Sequence, residues 1–412
     1  MHGSLRKSPR GIARRLSKYK KRKYEGRKYN ECKKQREELI MCTIWTIRNR
    51  TPDLRRLIAV GAAAALGVTG WGLGSASAQS PFYNSNKRIE WLVPASPGGG
   101  TDFSVRMLAP FLKKHLNGQP VVQVFNEPAG SAILGMNSFV TRPADGTNIV
   151  MTSSSSLFPF LFGESGVKFK VADLEPIAGF PLGGVVYVRG DSPHKTAASL
   201  FNAPKQLVFG GESAVGGETT TLLAFKVLDL NIRGVMGYDG SDKARIALEQ
   251  GEIDVAYDTA PSYLKGVLPL EKEGKIRPLF TFGFLKDGKL VRDPLLPELP
   301  HVAELYQQKF GKEPSGPAWE AYRASFPVRF LLNKVVWVHK NTPDAAKQEL
   351  RAAFASMLTD PEFIAQKARA LGPYPVVLGD DLKTATQALV QTDPAAIGWM
   401  KNWLTKDYGA RF

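Results

Sequence analysis

The segment whose residue types and spacing best suggest chemistry is a triple-glycine turn between a strand pattern and a helix pattern. It reads Leu92-Val93-Pro94-Ala95-Ser96-Pro97-Gly98-Gly99-Gly100-Thr101-Asp102. Glycines let the backbone approach a ligand closely, and the first N–H groups of the following helix have no intrahelical acceptors. The helix dipole also favours an anion at that end. The turn is therefore either a carboxylate site or only a tight connection in which Thr101 or Asp102 caps the helix.

The familiar nucleotide-binding and catalytic motifs are incomplete in this sequence. The glycine spacing fits neither G-x-G-x-x-G nor G-x-x-x-x-G-K-[ST]. Ser213 follows Gly211 and Glu212, but Val215 stands where a nucleophile elbow needs glycine. The histidines after residue 78 have no metal-ligand spacing: His115, His194, His301 and His339. We expect no catalytic residue, metal or cofactor, although paired carboxylates such as Asp102 with Asp258 leave a secreted hydrolase open.

Short apolar runs alternate with helical patterns from Arg88 onward, which predicts an α/β fold with mostly parallel strands joined by helices. The predicted strands cover 89–93, 121–125, 148–152, 185–188, 207–210, 233–237, 253–257, 276–282 and 335–339. The clearest predicted helices cover 104–116, 219–230, 242–250, 343–358 and 361–371. The triple-glycine turn therefore connects the first strand to the first helix.

Two similar turns predict where the chain passes between two lobes. Asp191-Ser192-Pro193 and Asn341-Thr342-Pro343 each follow a predicted strand. We interpret them as paired crossings, which assigns 79–189 with 331–412 to lobe 1 and 190–330 to lobe 2. Ligands of open α/β sheets bind at the carboxyl ends of strands, and clefts between lobes are favoured pockets. The sequence therefore predicts a ligand cleft between the lobes.

The strong positive charge belongs to the N-terminal segment. The formal net charge is +17, yet residues 1–78 hold 19 of the 55 Lys and Arg and 5 of the 38 Asp and Glu. Both cysteines, Cys32 and Cys42, also lie there. The rest of the chain is nearly balanced, so we expect no nucleic-acid partner once this segment is removed.

The same segment has the pattern of an export signal. Arginines at 48, 50, 55 and 56 precede an apolar run over 57–73, and Ala76-Ser77-Ala78 provides a small-residue cleavage site. We predict a signal peptide over 41–78, cleaved after Ala78, with ordinary and twin-arginine export both open. Residues 1–40 form a basic N-terminal extension ahead of Met41, which we interpret as an over-extended reading frame.

Several further segments carry a family pattern in order. Asn126, Pro128 and Gly135 match parts of N-R-P-G-A-G-G-N-I-G, and residues 143–146 match P-D-G-Y-T. Residues 209–214, 237–240 and 248–258 are similar to Y-G-S-A-G, P-Y-K-G and L-L-G-G-Q-V-D-V-M-F-D, respectively. Together with the P-x-x-P-G-G-G-T-D turn, this set resembles the periplasmic solute receptors of tripartite tricarboxylate transporters, the Bordetella uptake gene family. The resemblance covers about 88–372.

The resemblance implies a two-lobed periplasmic-binding-protein type II, or Venus-flytrap, fold. Such a receptor is no enzyme: a monomer closes on a small carboxylate through backbone amides, hydroxyls and waters, and delivers it to membrane subunits. The ligand contacts that it implies in lobe 1 are Pro97, Gly98, Gly99, Gly100, Thr101, Asp102, Ser153, Ser154, Ser155 and Ser156. Those that it implies in lobe 2 are Gly211, Ser213, Gly217, Thr219, Thr220 and Asp258. Alternatively, the serines form a solvated loop, and Thr219 and Asp258 serve helix starts.

Two carboxylates depart from the family pattern. Glu127 stands where the family has arginine, and Glu212 replaces a small residue. In an anion pocket they would repel a dicarboxylate. Each is either a solvated surface charge or the partner of a cationic ligand group, and the second case would indicate an amino acid or another zwitterion.

Overall fold

The computed structural model describes residues 81–128, 132–286 and 289–412. The predicted extension over 1–40 and signal peptide over 41–78 lie outside the described residues, as does the family-like stretch Ala129-Gly130-Ser131. In the described part, no helix combines the length and apolar character needed to cross a bilayer.

Strands and helices alternate along most of the described chain. The strands are β1 Arg88–Val93, β2 Val121–Asn126, β3 Asn148–Thr152, β4 Leu174–Phe180, β5 Gly184–Arg189, β6 Leu207–Gly211, β7 Ile232–Met236, β8 Val255–Thr259, β9 Ile276–Thr281, β10 Phe284–Lys286, β11 Lys289–Val291 and β12 Lys334–His339. The helices are α1 Gly100–His115, α2 Ile133–Phe139, α3 Ser154–Phe162, α4 Thr219–Val227, α5 Ser241–Gln250, α6 Ala260–Ser262, α7 Leu268–Lys272, α8 Val302–Phe310, α9 Pro317–Phe326, α10 Asp344–Met357, α11 Pro361–Leu371, α12 Gly379–Val390 and α13 Pro394–Tyr408. Two π-helical turns, Tyr263–Val267 and Pro327–Leu331, follow α6 and α9.

Two five-stranded sheets with equivalent strand orders organise the described chain. The orders are β2-β1-β3-β12-β4 and β7-β6-β8-β5-β9. In each sheet one strand, β12 or β5, pairs antiparallel with both of its neighbours, so the other four strands run in one direction. The predicted α/β class with mostly parallel sheets is confirmed, and every predicted strand has a counterpart.

The central strands and the facing helices are buried because apolar side chains occupy their contact faces. All five residues of β3 are buried, whereas the edge strand β2 alternates exposed and half-buried positions. Trp91 of β1 packs edge-on against Phe354 of α10, with ring centroids 6.3 Å apart. Burial of such large aromatic surfaces stabilises the first sheet against its helices and fixes where β1 ends.

The predicted crossings are in the wrong place. β5 pairs with β8 and β9, so it belongs to the second sheet, and the chain crosses at 181–183 between β4 and β5. It returns at 327–333, just before β12. Phe180, the last residue of β4, pairs with Lys334, the first residue of β12, so both crossings join the first sheet at the same place. Asp191 and Asn341 follow the opposite ends of β5 and β12. A crossing can only start from a strand end that faces the other sheet. The turns at Asp191 and Asn341 follow strand ends that face away from it.

The predicted division at 189/190 is therefore wrong by one strand, and the C-terminal part is shared between the lobes. Helix α9 packs against α4 of the second lobe. Helix α13, predicted as part of lobe 1, packs against α9 as well as against α3 of the first lobe. The C-terminal helix thus contacts both lobes.

Gly183 in the first crossing has no room for a side chain. A Cβ there would overlap the Asp293 carboxylate and the Tyr374 hydroxyl, which are hydrogen-bonded to each other at 2.8 Å. We expect Gly183→Ala to lower the free energy of unfolding by about 1–3 kcal/mol, measured by urea denaturation. Gly398→Ala in α13 is the control, because a Cβ there meets no atom within 4 Å and should stabilise the helix by about 0.5–1 kcal/mol. Equal effects of the two changes would contradict this account.

Candidate functional site

A cavity of about 680 Å³ lies between the two sheets, at the carboxyl ends of their parallel strands. The connections that follow β1, β3, β6 and β8 all contribute to its wall. This is the position at which open α/β sheets bind ligands, and the volume suits a small molecule. The predicted cleft therefore exists.

Four helices of the described chain begin at the wall of this cavity. They are α1 behind Gly99, α3 behind Ser153, α4 behind Glu218 and α5 behind Gly240. The first N–H groups of a helix lack intrahelical acceptors, and the helix dipole makes this end positive. The cavity is therefore built to receive negative charge.

The triple-glycine turn lines the cavity from Pro97 to Thr101. Gly98 has φ +81°, a conformation that favours glycine. The N–H groups of Gly98 and Gly99 already donate within the turn, to Asp102 Oδ2 at 2.8 Å and to the carbonyl of Ser96 at 3.1 Å. The donors left for a ligand are those of the first helical turn, starting at Gly100.

Asp102 braces this turn from behind and does not line the cavity. Its side chain is buried and also accepts hydrogen bonds from Arg106 Nε at 2.8 Å and Asn126 Nδ2 at 2.9 Å. Burial opposes ionisation, but the bonds from Arg106, Gly98 and Asn126 together hold the pKa of Asp102 below its ordinary value. Its predicted role as a ligand contact is replaced by that of a positioning residue.

The serine run contributes three of its four residues to the cavity wall. Ser153, Ser154 and Ser155 line it. Ser156 is fully buried, and its Oγ accepts the Ser153 N–H at 3.4 Å, so it serves the start of α3. The alternative of a solvated loop does not describe Ser153, Ser154 and Ser156, which are buried.

Of the residues predicted in the second lobe, only Gly217 lies on the described cavity wall. Gly211 and Ser213 lie outside it. Thr219 and Thr220 are fully buried in the first turn of α4, and Thr219 Oγ1 donates to the carbonyl of Ala214 at 2.6 Å. They start a helix, as the alternative interpretation stated, because the helix turns their side chains into the core.

Asp258 is also fully buried behind the cavity wall. Its Oδ2 accepts from Tyr187 Oη at 2.8 Å and pairs with Arg245 Nη1 at 3.2 Å. Burial raises the pKa of Asp258, although the Arg245 guanidinium opposes this shift. Arg245 itself lines the cavity, so Asp258 positions a cation and does not contact the ligand space.

The floor of the cavity contains two buried cations that sequence analysis missed, Arg329 and Lys334. Arg329 Nη1 donates to Ser154 Oγ at 2.6 Å, and its guanidinium lies 4.7 Å from the ring centroid of Tyr257. Lys334 Nζ donates to Thr101 Oγ1 at 2.7 Å. Burial, with a smaller contribution from Arg329, lowers the pKa of Lys334 to about 7.

Asn333 completes the floor between the two cations. Its Nδ2 donates to Ser154 Oγ at 3.1 Å and to the Arg329 carbonyl at 2.8 Å. Arg329 and Asn333 lie in the second crossing, Lys334 is the first residue of β12, and none of the three belongs to a recognisable motif. The signal that could have found them is a charge directly before a run of buried apolar residues, Lys334 ahead of Val335 and Val336.

The second lobe presents acidic residues to the same cavity: Glu212, Glu218 and Asp239. Partial burial, and then the neighbouring Glu218 and Asp239, raise the pKa of Glu212 to about 7. Glu127, in contrast, lies outside the cavity and pairs with Arg142 at 2.8 Å. Of the two departures from the family pattern, Glu212 therefore lines the cavity and Glu127 forms an ion pair outside it.

Within residues 81–128, 132–286 and 289–412, no group of three or more His, Cys, Asp or Glu side chains is placed to hold a metal ion. The chemistry of the described wall is that of hydrogen-bond donors and fixed charges.

The buried lysine should make stability depend on pH. Because the pKa of Lys334 is about 7 in the fold and near 10.5 in the unfolded chain, stability is lost as pH falls from about 10.5 to 7. We expect Lys334→Met to raise the free energy of unfolding by about 2 kcal/mol at pH 6.5 and by less at pH 9.5, measured by urea denaturation. Exposed Lys312→Met is the control, and a gain independent of pH would contradict this origin.

Asp102 offers a test of indirect positioning. We expect Asp102→Ala to weaken binding of a carboxylate about ten- to hundredfold, because loss of hydrogen bonds to a charged group costs about 1.5–3 kcal/mol and loosens the turn. Calorimetric titration with a series of short carboxylates measures this change. Asp191→Ala, which removes a surface pair with Arg189, should leave affinity unchanged. An unchanged affinity in Asp102→Ala would overturn the positioning role.

Comparison with known proteins agrees with the sequence patterns. Residues 104–321 match the family described as tripartite tricarboxylate transporter family receptor. The UPF0065 protein in the tcbD-tcbE intergenic region of Pseudomonas sp. (strain P51) is 25% identical over 354 residues, which cover 82% of this chain and 95% of that protein.

Solved structures share the fold. A protein from R. palustris with adipate has a TM-score of 0.59 at 20% identity, covering 79% of this chain and 98% of the other. MatC from Rhodopseudomonas palustris with bound malate has a TM-score of 0.54 at 17% identity, covering 77% and 98%. These likenesses confirm the predicted two-lobed receptor fold.

Proposed function

The chain belongs to the tripartite tricarboxylate transporter receptor family, and we propose that it captures a small dicarboxylate or related organic acid for such a transporter. Proteins of this family are periplasmic solute receptors and not enzymes. The proposal adds the ligand class, the contacts and the delivery of the ligand to membrane subunits.

The observation that carries the proposal is the convergence of four helix N-termini on one cavity between the lobes. Each such end favours an anion by typically 0.3–1 kcal/mol when exposed, and by more when it is partly buried. Backbone N–H groups and serine hydroxyls donate hydrogen bonds without adding the cost of a buried charge. A carboxylate fits this environment better than a neutral or cationic group.

The size of the cavity and the solved relatives support a short dicarboxylate. A volume of about 680 Å³ is within the usual range for small-molecule sites. The related proteins solved with malate and with adipate hold dicarboxylates. One carboxylate of such a ligand would meet the first turn of α1, and the other would reach the opposite wall.

Capture requires the lobes to open and close, and the crossings at 181–183 and 327–333 are the proposed hinges. Across the cleft, helices α1 and α11 of the first lobe contact α6 of the second lobe, and α11 also contacts the π-helical turn that follows α6. Lys265 of the second lobe donates to the Gly98 carbonyl at 3.4 Å and lies 5.5 Å from the Phe103 ring centroid. We propose that this monomer is exported by its signal peptide, binds its ligand in the periplasm and presents the closed form to the membrane subunits.

The acidic wall favours a second candidate, an amino acid or another zwitterion. Glu212, Glu218 and Asp239 have no ion-pair partner in the described part of the chain. An ammonium group of the ligand would neutralise them while its carboxylate meets the helix N-termini. The dicarboxylate remains the first candidate because the raised pKa of Glu212 already reduces the negative charge of this wall near neutral pH.

Matched ligand pairs test both candidates. We expect malate or adipate to raise the melting temperature, with a stabilisation of about 2.7 kcal/mol at a hundredfold excess over Kd. Aspartate differs from malate, and 2-aminoadipate from adipate, by the ammonium group, so a larger shift with the amino compounds would establish the zwitterion. Dimethyl adipate, which lacks both charges, is the control. Absence of a shift with all four acids would contradict the proposed function.

A further inference from the structure

We propose that Arg329 and Lys334 form a charged anchor that pairs directly with one ligand carboxylate at the second crossing. This subsite is absent from the set of neutral donors that the family resemblance implies. The inference rests on the proposed function, because it states how the same cavity holds its anion.

Arg329 is placed as a bridge between the lobes. It is 5% exposed, it donates from Nη1 to Ser154 of α3 in the first lobe, and it stacks on Tyr257 of β8 in the second lobe. Its Nε is buried without a hydrogen-bond partner among the described residues. A guanidinium presents donors in a planar fork that matches a carboxylate, so this side chain retains capacity for a ligand.

Lys334 occupies an environment that is already positive. It is 5% exposed, and its Nζ bonds to the Thr101 hydroxyl in the first turn of α1. A lysine at a helix N-terminus faces the wrong end of the dipole, and Arg329 adds a second positive charge nearby. The ammonium has three donors, of which the described structure uses one.

Neither cation has a carboxylate partner within 4.0 Å among the described residues, although both line the cavity. Burial of an unpaired charge is costly, and proteins usually pair such charges or let them change protonation. Two buried cations, a helix N-terminus and open space together therefore indicate an anionic occupant. A carboxylate at this point would compensate both charges at once.

The anchor also links ligand capture to the hinge. Arg329 lies in the π-helical turn and Lys334 opens β12, so both belong to the segment that passes between the lobes. Because Arg329 contacts residues of both lobes, a carboxylate held there would favour the arrangement in which Ser154 and Tyr257 approach the same guanidinium. Neutral donors on one lobe alone would not produce this coupling.

Binding at the anchor should take up a proton, because a carboxylate favours the charged form of Lys334. The titratable side chains that surround the cavity from other elements include Tyr257 on β8 and Glu212 and Glu218 on the connection after β6. The others are Asp239, Asp242, Lys243, Arg245 and Lys265. An incoming anion would also raise the pKa of Glu212, so the contribution of Glu212 must be separated.

The test is calorimetric titration with malate or adipate, whichever gives the larger thermal shift. Titrations at pH 8 in HEPES and in Tris, which differ in ionisation enthalpy, measure the protons taken up. We expect uptake at pH 8, less uptake at pH 6, and an affinity that falls by up to about tenfold per pH unit above pH 7. Uptake that persists in Glu212→Gln belongs to Lys334.

Three variants complete the design. We expect Lys334→Met and Arg329→Gln each to weaken binding at least about tenfold at pH 6.5, and Lys334→Met to abolish the remaining uptake. The control Lys367→Met removes a half-buried lysine of lowered pKa remote from the cavity and should change neither quantity. If Arg329→Gln does not fold, the titrations of the wild-type protein and of Lys334→Met are sufficient to test the anchor.

The outcomes separate the two proposals. Tight binding without proton uptake, together with unchanged affinity in Lys334→Met, would overturn the anchor and leave the receptor function intact. Failure of malate and adipate to bind the wild-type protein would overturn both. If Lys334→Met loses both affinity and proton uptake while the control Lys367→Met loses neither, the anchor is supported.

Discussion

The structure depends on positive charge that is concentrated at the floor of the cavity between the two sheets. Helix N-termini, the Arg329 guanidinium and the Lys334 ammonium all point their charge into one space. The low dielectric of the surroundings strengthens the attraction of these groups for an anion. It also makes the buried positive charges costly while no counter-charge is present. The fold places this positive charge where strands end, so the cleft, the proposed hinge and the proposed preference for anions have a common physical origin.

The strand pattern and the triple-glycine turn were accessible from the sequence because they depend on local periodicity and on glycine conformation. β3 is a continuous apolar run, and the turn before α1 has its glycines in sequence. β4 was missed because Pro176 and Gly179 interrupt its pattern. Without β4, the strand at 184–189 was assigned to the wrong sheet, and the crossings were placed at the far ends of β5 and β12.

The site could be predicted only where it coincides with one segment. Gly98 and its neighbours line the cavity, but Asp102, Thr219 and Asp258 are buried behind its wall. Whether a polar residue faces a cavity or supports it depends on rotation about a strand or helix, and family motifs do not distinguish the two cases. Arg329 and Lys334 contact Ser154 and Thr101 across more than 150 positions of sequence, and no local pattern encodes such contacts.

Helix α13 adds a non-covalent contact between the lobes to the two covalent crossings. It contacts α9 on one side and α3 on the other. Met400, Trp403 and Leu404 of α13 are buried, so the proposed rotation about the crossings would shear an apolar contact. In the proposed opening, the C-terminal helix would therefore act as a restraint, because separation of the lobes would expose apolar surface that this helix now covers.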